Sequence, residues 1–244
     1  MKVDISLVDG VLHVQLNRPE QKNAVDFDVI NALAEALEEA ETNRHIHTFL
    51  IKGHRGAFCS GGDVQAFHSL YTKEEALTML RPMNENLIRL RKLPCVSVCY
   101  IDGPAVGGGA ELAAACDKVY ISAEGKAGFI QGRLALSTGW GGAACLKQKI
   151  GAKNAFHMLT SASVYDAERL LSIGFADEKA ESLDEVLRDL KPVTIPGEAV
   201  TSYREPVNAS AFYKEMRMEA DRCASLWESE EHHKQVAFFL NRKQ

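Results

Sequence analysis

The chain has 244 residues, 46% of them apolar and 25% charged, with a formal net charge of −5 at pH 7. That length is beyond a disulfide-stapled miniprotein and suits one large domain, or a domain with a small appendage. The composition excludes disorder as the main state, and the acidic balance argues against a dedicated nucleic-acid binder.

The six cysteines, Cys59, Cys95, Cys99, Cys116, Cys145 and Cys223, form no CxxC pair, and several sit in apolar runs. They are expected to be reduced, buried thiols of a cytoplasmic protein. Lys2 and Asp4 are followed by alternation and not by an apolar block, so no signal peptide is expected. No run is long and apolar enough to suggest a membrane span.

In chain order, Val3, Ile5 and Leu7 alternate with polar neighbours, Asp9-Gly10 turns the chain, and residues 11–16 return as the second strand of a hairpin. Asn17-Arg18-Pro19-Glu20 breaks that strand. Ile30, Leu33, Ala34 and Leu37 mark a helix over 26–41, capped by Asp26 or Asp28. Residues 48–51 read as a buried strand, and the loop 53–62 follows. A second amphipathic helix spans 73–92 and is ended by Pro94. Residues 95–101, rich in β-branched side chains, form a strand.

A glycine loop, Gly107-Gly108-Gly109, then opens an alanine-rich helix over 110–116, and 118–121 is a further strand. Helices are expected at 141–149, 153–159 and 166–173, the last ending at Gly174. The alternation of strands and helices makes the class α/β. Pro192, Pro196, Gly197 and Pro206 mark 191–210 as a linker. Residues 208–241 are helical by pattern, with Leu226, Val236, Phe239 and Leu240 on an apolar side that docks on the body or on a neighbouring subunit. The division expected is a core over 1–190 and a linker with a C-terminal helical region over 191–244.

Two glycine sites are candidates for chemistry. Ala57-Phe58-Cys59-Ser60-Gly61-Gly62-Asp63 lies between a strand and a helical run, and Gly107-Gly108-Gly109 opens a helix. Such glycines let a ligand approach the backbone and leave N–H groups free at a helix N-terminus, a donor arrangement that stabilises an oxyanion. Tight turns and close packing explain glycine clusters equally well. Neither GxGxxG nor GxxxxGK[ST] occurs, so NAD and ATP are poorly supported.

Glu111 stands two residues after Gly109, in the first turn of an otherwise apolar helix. It is either a solvated residue favoured by the helix dipole or a desolvated acid/base group. The histidines, among them His45, His54, His68, His157, His232 and His233, are scattered or exposed by pattern, and no metal-ligand spacing such as HExxH occurs.

These segments together resemble the crotonase (enoyl-CoA hydratase/isomerase) superfamily along nearly the whole chain. The resemblance rests on Leu16-Asn17-Arg18-Pro19-Glu20 with Asn23-Ala24, on AFCSGGD at 57–63 and on GPAVGGGAELAAACD at 103–117. It also rests on Gly139-Trp140-Gly141-Gly142, Ala167-Glu168-Arg169, Ile173-Gly174 and Ala237-Phe238-Phe239-Leu240. It implies a crotonase-like spiral of ββα units with a helical C-terminal trimerisation region, assembled as a homotrimer or a dimer of trimers. The N–H groups of Gly62 and Gly108 resemble the pair that holds a thioester oxygen, and the loops at Ala24 and Ala57–Ser60 resemble those lining the CoA moiety. CoA enters as part of the substrate, and no separate cofactor or metal is implied.

Hydratases of the superfamily use two glutamates. Glu111 matches the first, but counting back from Gly141-Gly142 puts Gln131 at the second. An amide is no general base near neutral pH, so two-glutamate hydration and simple isomerisation are not expected. The Gly139-Trp140-Gly141-Gly142 turn is similar to the SWGG turn of the ethylmalonyl-CoA decarboxylase branch. The resemblance therefore implies an acyl-CoA lyase of fatty acid metabolism, with a slight preference for decarboxylation of a short malonyl-type CoA. Trp140 is either an apolar wall beside the leaving carboxylate or a packing residue. The alternatives are an atypical hydratase with one catalytic glutamate and a non-catalytic acyl-CoA-binding protein. RNA binding, known in one branch, is disfavoured by the acidic charge.

Overall fold

The computed structural model describes residues 1–190, 196–206 and 208–241. The hairpin forms from β1 (Val3–Val8) and β2 (Val11–Leu16), turning at Asp9 and Gly10, both at positive φ. Next come α1 (Phe27–Thr42), β3 (Thr48–Gly53), α2 (Val64–Phe67), α3 (Lys73–Leu90) and β4 (Val96–Ile101). They are followed by β5 (Pro104–Val106), α4 (Gly108–Ala115), β6 (Lys118–Ile121) and β7 (Lys126–Gly128). The remainder is α5 (Gly142–Ser161), β8 (Tyr165–Asp166), α6 (Ala167–Ser172), β9 (Glu178–Lys179), α7 (Leu183–Asp189), α8 (Gly197–Arg204), α9 (Ala209–Trp227) and α10 (Glu230–Asn241).

Local chemistry sets the helix ends. Of the two aspartates proposed for α1, Asp26 is the cap: its carboxylate accepts from the Val29 amide at 3.1 Å. Thr72 and Glu75 close a capping box at the start of α3. Gly151, at φ +77° and ψ 157°, interrupts α5. The two helices expected there are the arms on either side of it.

The main sheet runs in the order β1-β2-β3-β4-β6-β9. The hairpin pair is antiparallel and every other pair is parallel. A smaller sheet, β5-β7-β8, stands beside it. Alternate residues of the main sheet face opposite ways, as a two-residue period demands. Leu12, Val14, Phe49, Ile51, Cys99, Ile101, Val119 and Ile121 enter the large core with the helices. Val11, Leu50, Val98, Tyr100 and Tyr120 form a second layer under Val186 of α7. Burial on both faces explains why these strands read as continuous apolar runs. All six cysteines are buried and free. Among the described residues no helix is long and apolar enough to cross a membrane.

Two expectations need correction. The segment read as a linker contains α8, and Arg204 at its end ties it to the body. The Arg204 side chain is 5% exposed; it donates to both carboxylate oxygens of Asp117 at 2.6 Å and to the carbonyls of Leu93 and Cys95. Proline and glycine marked an irregular path, but a satisfied guanidinium fixes it. Pro192 lies outside the described residues. The C-terminal helices dock on the chain's own body, one of the two expected partners, through Met216, Ala220, Cys223 and Ala224 of α9 against α3 and α5; the correction concerns one residue of that side. Leu226, assigned to the docking side, is 40% exposed.

Candidate active site

The glycines fold two loops against each other. Gly61 has φ +93° and Gly107 φ +57°, both in the region that glycine tolerates. A Cβ on Gly61 would stand 3.0 Å from the Gly108 nitrogen, and one on Gly109 would collide with the Cys59 carbonyl at 2.1 Å. Neither the Gly62 nor the Gly108 amide donates to a backbone carbonyl in the turns and loops among the described residues. Gly108 is the first residue of α4, where amides have no intrahelical partner.

Both glycines line a cavity of about 490 Å³. Its walls are mostly apolar: Phe67, Leu70, Leu80, Leu136 and Trp140 contribute, and α10 closes one side with Val236 and Phe239. Glu111 is the one carboxyl group among the described residues that line it.

Glu111 is 2% exposed. Its Oε1 accepts from the Gln131 side-chain amide at 2.9 Å and from Gly139 N at 3.3 Å, and its Oε2 accepts from Trp140 N and Gly142 N, both at 2.9 Å. Four donors thus meet the four lone-pair positions of the ionised carboxylate, so protonation must displace one of them, and the contact from Gly139 N at 3.3 Å is the longest. Burial nevertheless pushes the carboxyl up, to about 7. The charge of Glu219 adds to the rise, and the hydrogen bonds from Gly142, Trp140 and Gln131 oppose it. The group therefore holds and releases a proton near neutral pH, which suits an acid/base role. Gln131 starts a 3-10 turn, Gln131–Leu134, and its Oε1 is buried without a hydrogen-bond partner.

The cavity brings together Gly62, Gly108, Glu111, Ser60, Gln131 and Trp140. Trp140 serves both readings given to it, being buried and also a wall of the cavity. Ala24 and Ala57 are not among the lining residues. They are buried in neighbouring loops that Asn23 ties together by donating from its side-chain amide to the carbonyls of His54 and Ala57.

A family model for enoyl-CoA hydratase/isomerase matches residues 7–194. The chain belongs to that family. It is 34% identical over 176 residues to an ethylmalonyl-CoA decarboxylase of Xenopus tropicalis, covering 72% of this chain and 59% of that protein. The human ethylmalonyl-CoA decarboxylase is 32% identical over 184 residues, covering 75% of this chain and 60% of that protein. The chain thus spans about three fifths of the length of these curated relatives. In three dimensions it is similar to an enoyl-CoA hydratase from Bacillus halodurans, with a TM-score of 0.88 at 21% identity over 98% of this chain and all of that one. The fold is the crotonase spiral that the motifs implied.

In this member of the enoyl-CoA hydratase/isomerase family, two buried polar residues near the site were missed in the sequence. Glu219 on α9 is 4% exposed and accepts from Thr138 Oγ1 at 2.6 Å, Ala143 N at 3.0 Å and Ala144 N at 2.7 Å, directly behind Glu111. His232, read as scattered or exposed, is buried and lines the cavity. Its Nδ1 lies 2.7 Å from the Leu134 carbonyl, which can only accept, so Nδ1 carries the proton and pins α10 to the turn that bears Gln131. Burial lowers the pKa of His232 and favours its neutral form. No local pattern marks either residue: Glu219 stands in a Met-Glu-Ala-Asp-Arg stretch that reads as a solvated face.

Proposed function

We propose that this chain decarboxylates a short malonyl-type acyl-CoA through a thioester enolate. The observation that carries the reading is the pairing of Glu111 with an amide, Gln131, in a cavity whose described lining has no second carboxyl. A malonyl-type substrate brings its own carboxylate, and a second ionised glutamate would repel it. One acid that keeps its proton near pH 7 does not. The names of the curated relatives support the same reading.

In this mechanism the bond between the α-carbon and the carboxylate breaks and CO2 leaves. The electron pair delocalises onto the thioester as an enolate. The N–H groups of Gly62 and Gly108 take the developing oxyanion, and a preorganised donor of this kind is typically worth about 3–4 kcal/mol. The apolar wall of Trp140 and Phe67 disfavours the charged carboxylate relative to neutral CO2. The Glu111 O–H then passes its proton to the α-carbon, giving the acyl-CoA and a Glu111 carboxylate, which regains a proton from water. Ser60 and the loops at Ala24 and Ala57 take the CoA moiety.

The test is a mass-spectrometric assay offering methylmalonyl-, ethylmalonyl- and crotonyl-CoA separately. CO2 loss from a malonyl-type thioester, abolished by Glu111→Gln, is the expected result. Water addition to crotonyl-CoA without CO2 loss would overturn the proposal in favour of a single-glutamate hydratase.

A further inference from the structure

Glu219 is a buried carboxylate that no step above uses. It holds the amides of Ala143 and Ala144, while Glu111 holds the preceding amide, Gly142. Two carboxylates thus grip three consecutive amides in the first turn of α5. Glu111 comes from α4 and Glu219 from α9. Neighbouring helical amides are only a few ångströms apart, so the two acids are within strong electrostatic reach of each other.

They face different spaces. Glu111 lines the acyl cavity. Glu219 lines a second cavity, of about 310 Å³, between the 3-10 turn, α5 and α9. The charged side chains there are Lys147 of α5 and Glu215 and Arg222 of α9; Glu215 and Arg222 pair at 2.7 Å. Cys145 of α5 and Cys223 of α9 complete the titratable groups packed against Glu219, with Glu111 itself. Gln131 lines both cavities.

The chemistry gives this arrangement a use. Decarboxylation as written consumes one proton per turnover, and product fills the front cavity when Glu111 must recover it. We propose that Glu219 is a positioning residue for the reaction: its charge, held behind the first turn of α5, keeps the proton on Glu111 between turnovers. Burial raises the Glu219 carboxyl, and the hydrogen bonds from Thr138 and two helix amides, with the charge of Lys147, oppose that rise. Lys147 lines the Glu219 cavity while apolar side chains dominate the Glu111 cavity, so the charge is assigned to Glu219 and the proton to Glu111. The kinetic consequence rests on the decarboxylase reading; the electrostatic one does not.

Glu219→Gln removes the charge at constant size. The Glu111 carboxyl can be titrated in the resting protein by infrared or 13C NMR spectroscopy with labelled glutamate. Its midpoint is expected to fall by about one pH unit, with kcat about tenfold lower near pH 8 and little changed near pH 6. An unmoved midpoint, with kcat lowered equally at both pH values, would overturn the proposal and leave Glu219 a helix cap. Thr138→Val deletes one donor that favours the Glu219 anion, so a smaller shift in the same direction is expected even if Glu219→Gln does not fold. No shift there would also overturn it. Because the titration needs no turnover, a shifted midpoint without CO2 release would overturn the reaction reading alone.

Discussion

The indole of Trp140 occupies the space that a Cβ on residue 108 would need: Cζ3 and Cη2 would stand 2.1 and 2.3 Å from it. One contact therefore fixes both the wall of the cavity and the position of the α4 N-terminal amide. Gly108→Ala must push the indole aside. Overpacking of this kind costs about 1–3 kcal/mol, and displacing one of the two proposed oxyanion donors is expected to lower kcat about 10²–10³-fold. Thermal melting and steady-state kinetics on the best malonyl-type substrate check the two effects. Wild-type kcat in this variant would remove Gly108 from the reaction.

Glu111→Gln removes the proposed proton donor. General-acid loss is expected to lower kcat by about 10²–10⁴-fold. The side chain keeps its size, so affinity for a non-reacting acyl-CoA analogue is expected to fall far less than kcat. Calorimetry on that analogue separates lost chemistry from lost binding.

The pH dependence follows from the sign of the shift. In the proposed mechanism Glu111 acts when protonated, and burial with the Glu219 charge raises its carboxyl to about 7. Activity is therefore expected to be full below that value and to fall as pH rises through it, approaching a tenfold loss per unit. A flat kcat profile across this range would exclude Glu111 as the acid.

Gln131→Glu would place two carboxyl groups where an amide now donates to Glu111 at 2.9 Å. Such a pair shares a proton and repels a substrate carboxylate. Decarboxylation is expected to fall by about tenfold or more, while the second base lets water addition to crotonyl-CoA appear. Product analysis by mass spectrometry reads both activities in one sample.

Arg204→Met tests the fold apart from the site. It leaves the Asp117 carboxylate without its closest partner and two carbonyls without a donor. Breaking a buried pair of this kind costs about 3–5 kcal/mol. Denaturant unfolding is expected to show that loss, with kcat of the folded protein within about twofold of wild type, because Arg204 does not line the acyl cavity.

The parts legible in the sequence are those written in contiguous residues. Asp9-Gly10 turns the hairpin, Asp26 caps α1, and Gly107 takes the positive φ that opens α4, each by chemistry local to a few positions. Glu111 was visible because an apolar helix surrounds it, and Gln131 because it stands at a counted distance from Gly141-Gly142. Such signals by themselves determined the α/β class, the family and several of the residues that line the cavity. They did not determine α8, whose place depends on Arg204 reaching Asp117 across the fold. Nor did they reveal Glu219 and His232, which sit among charged neighbours on C-terminal helices. Burial of a polar side chain is decided by donors that arrive from distant elements: Thr138, Ala143 and Ala144 for Glu219, and the Leu134 carbonyl as acceptor for His232. Only the packed tertiary structure brings those partners within hydrogen-bond range, and with them the second carboxylate that raises the proton affinity of the first.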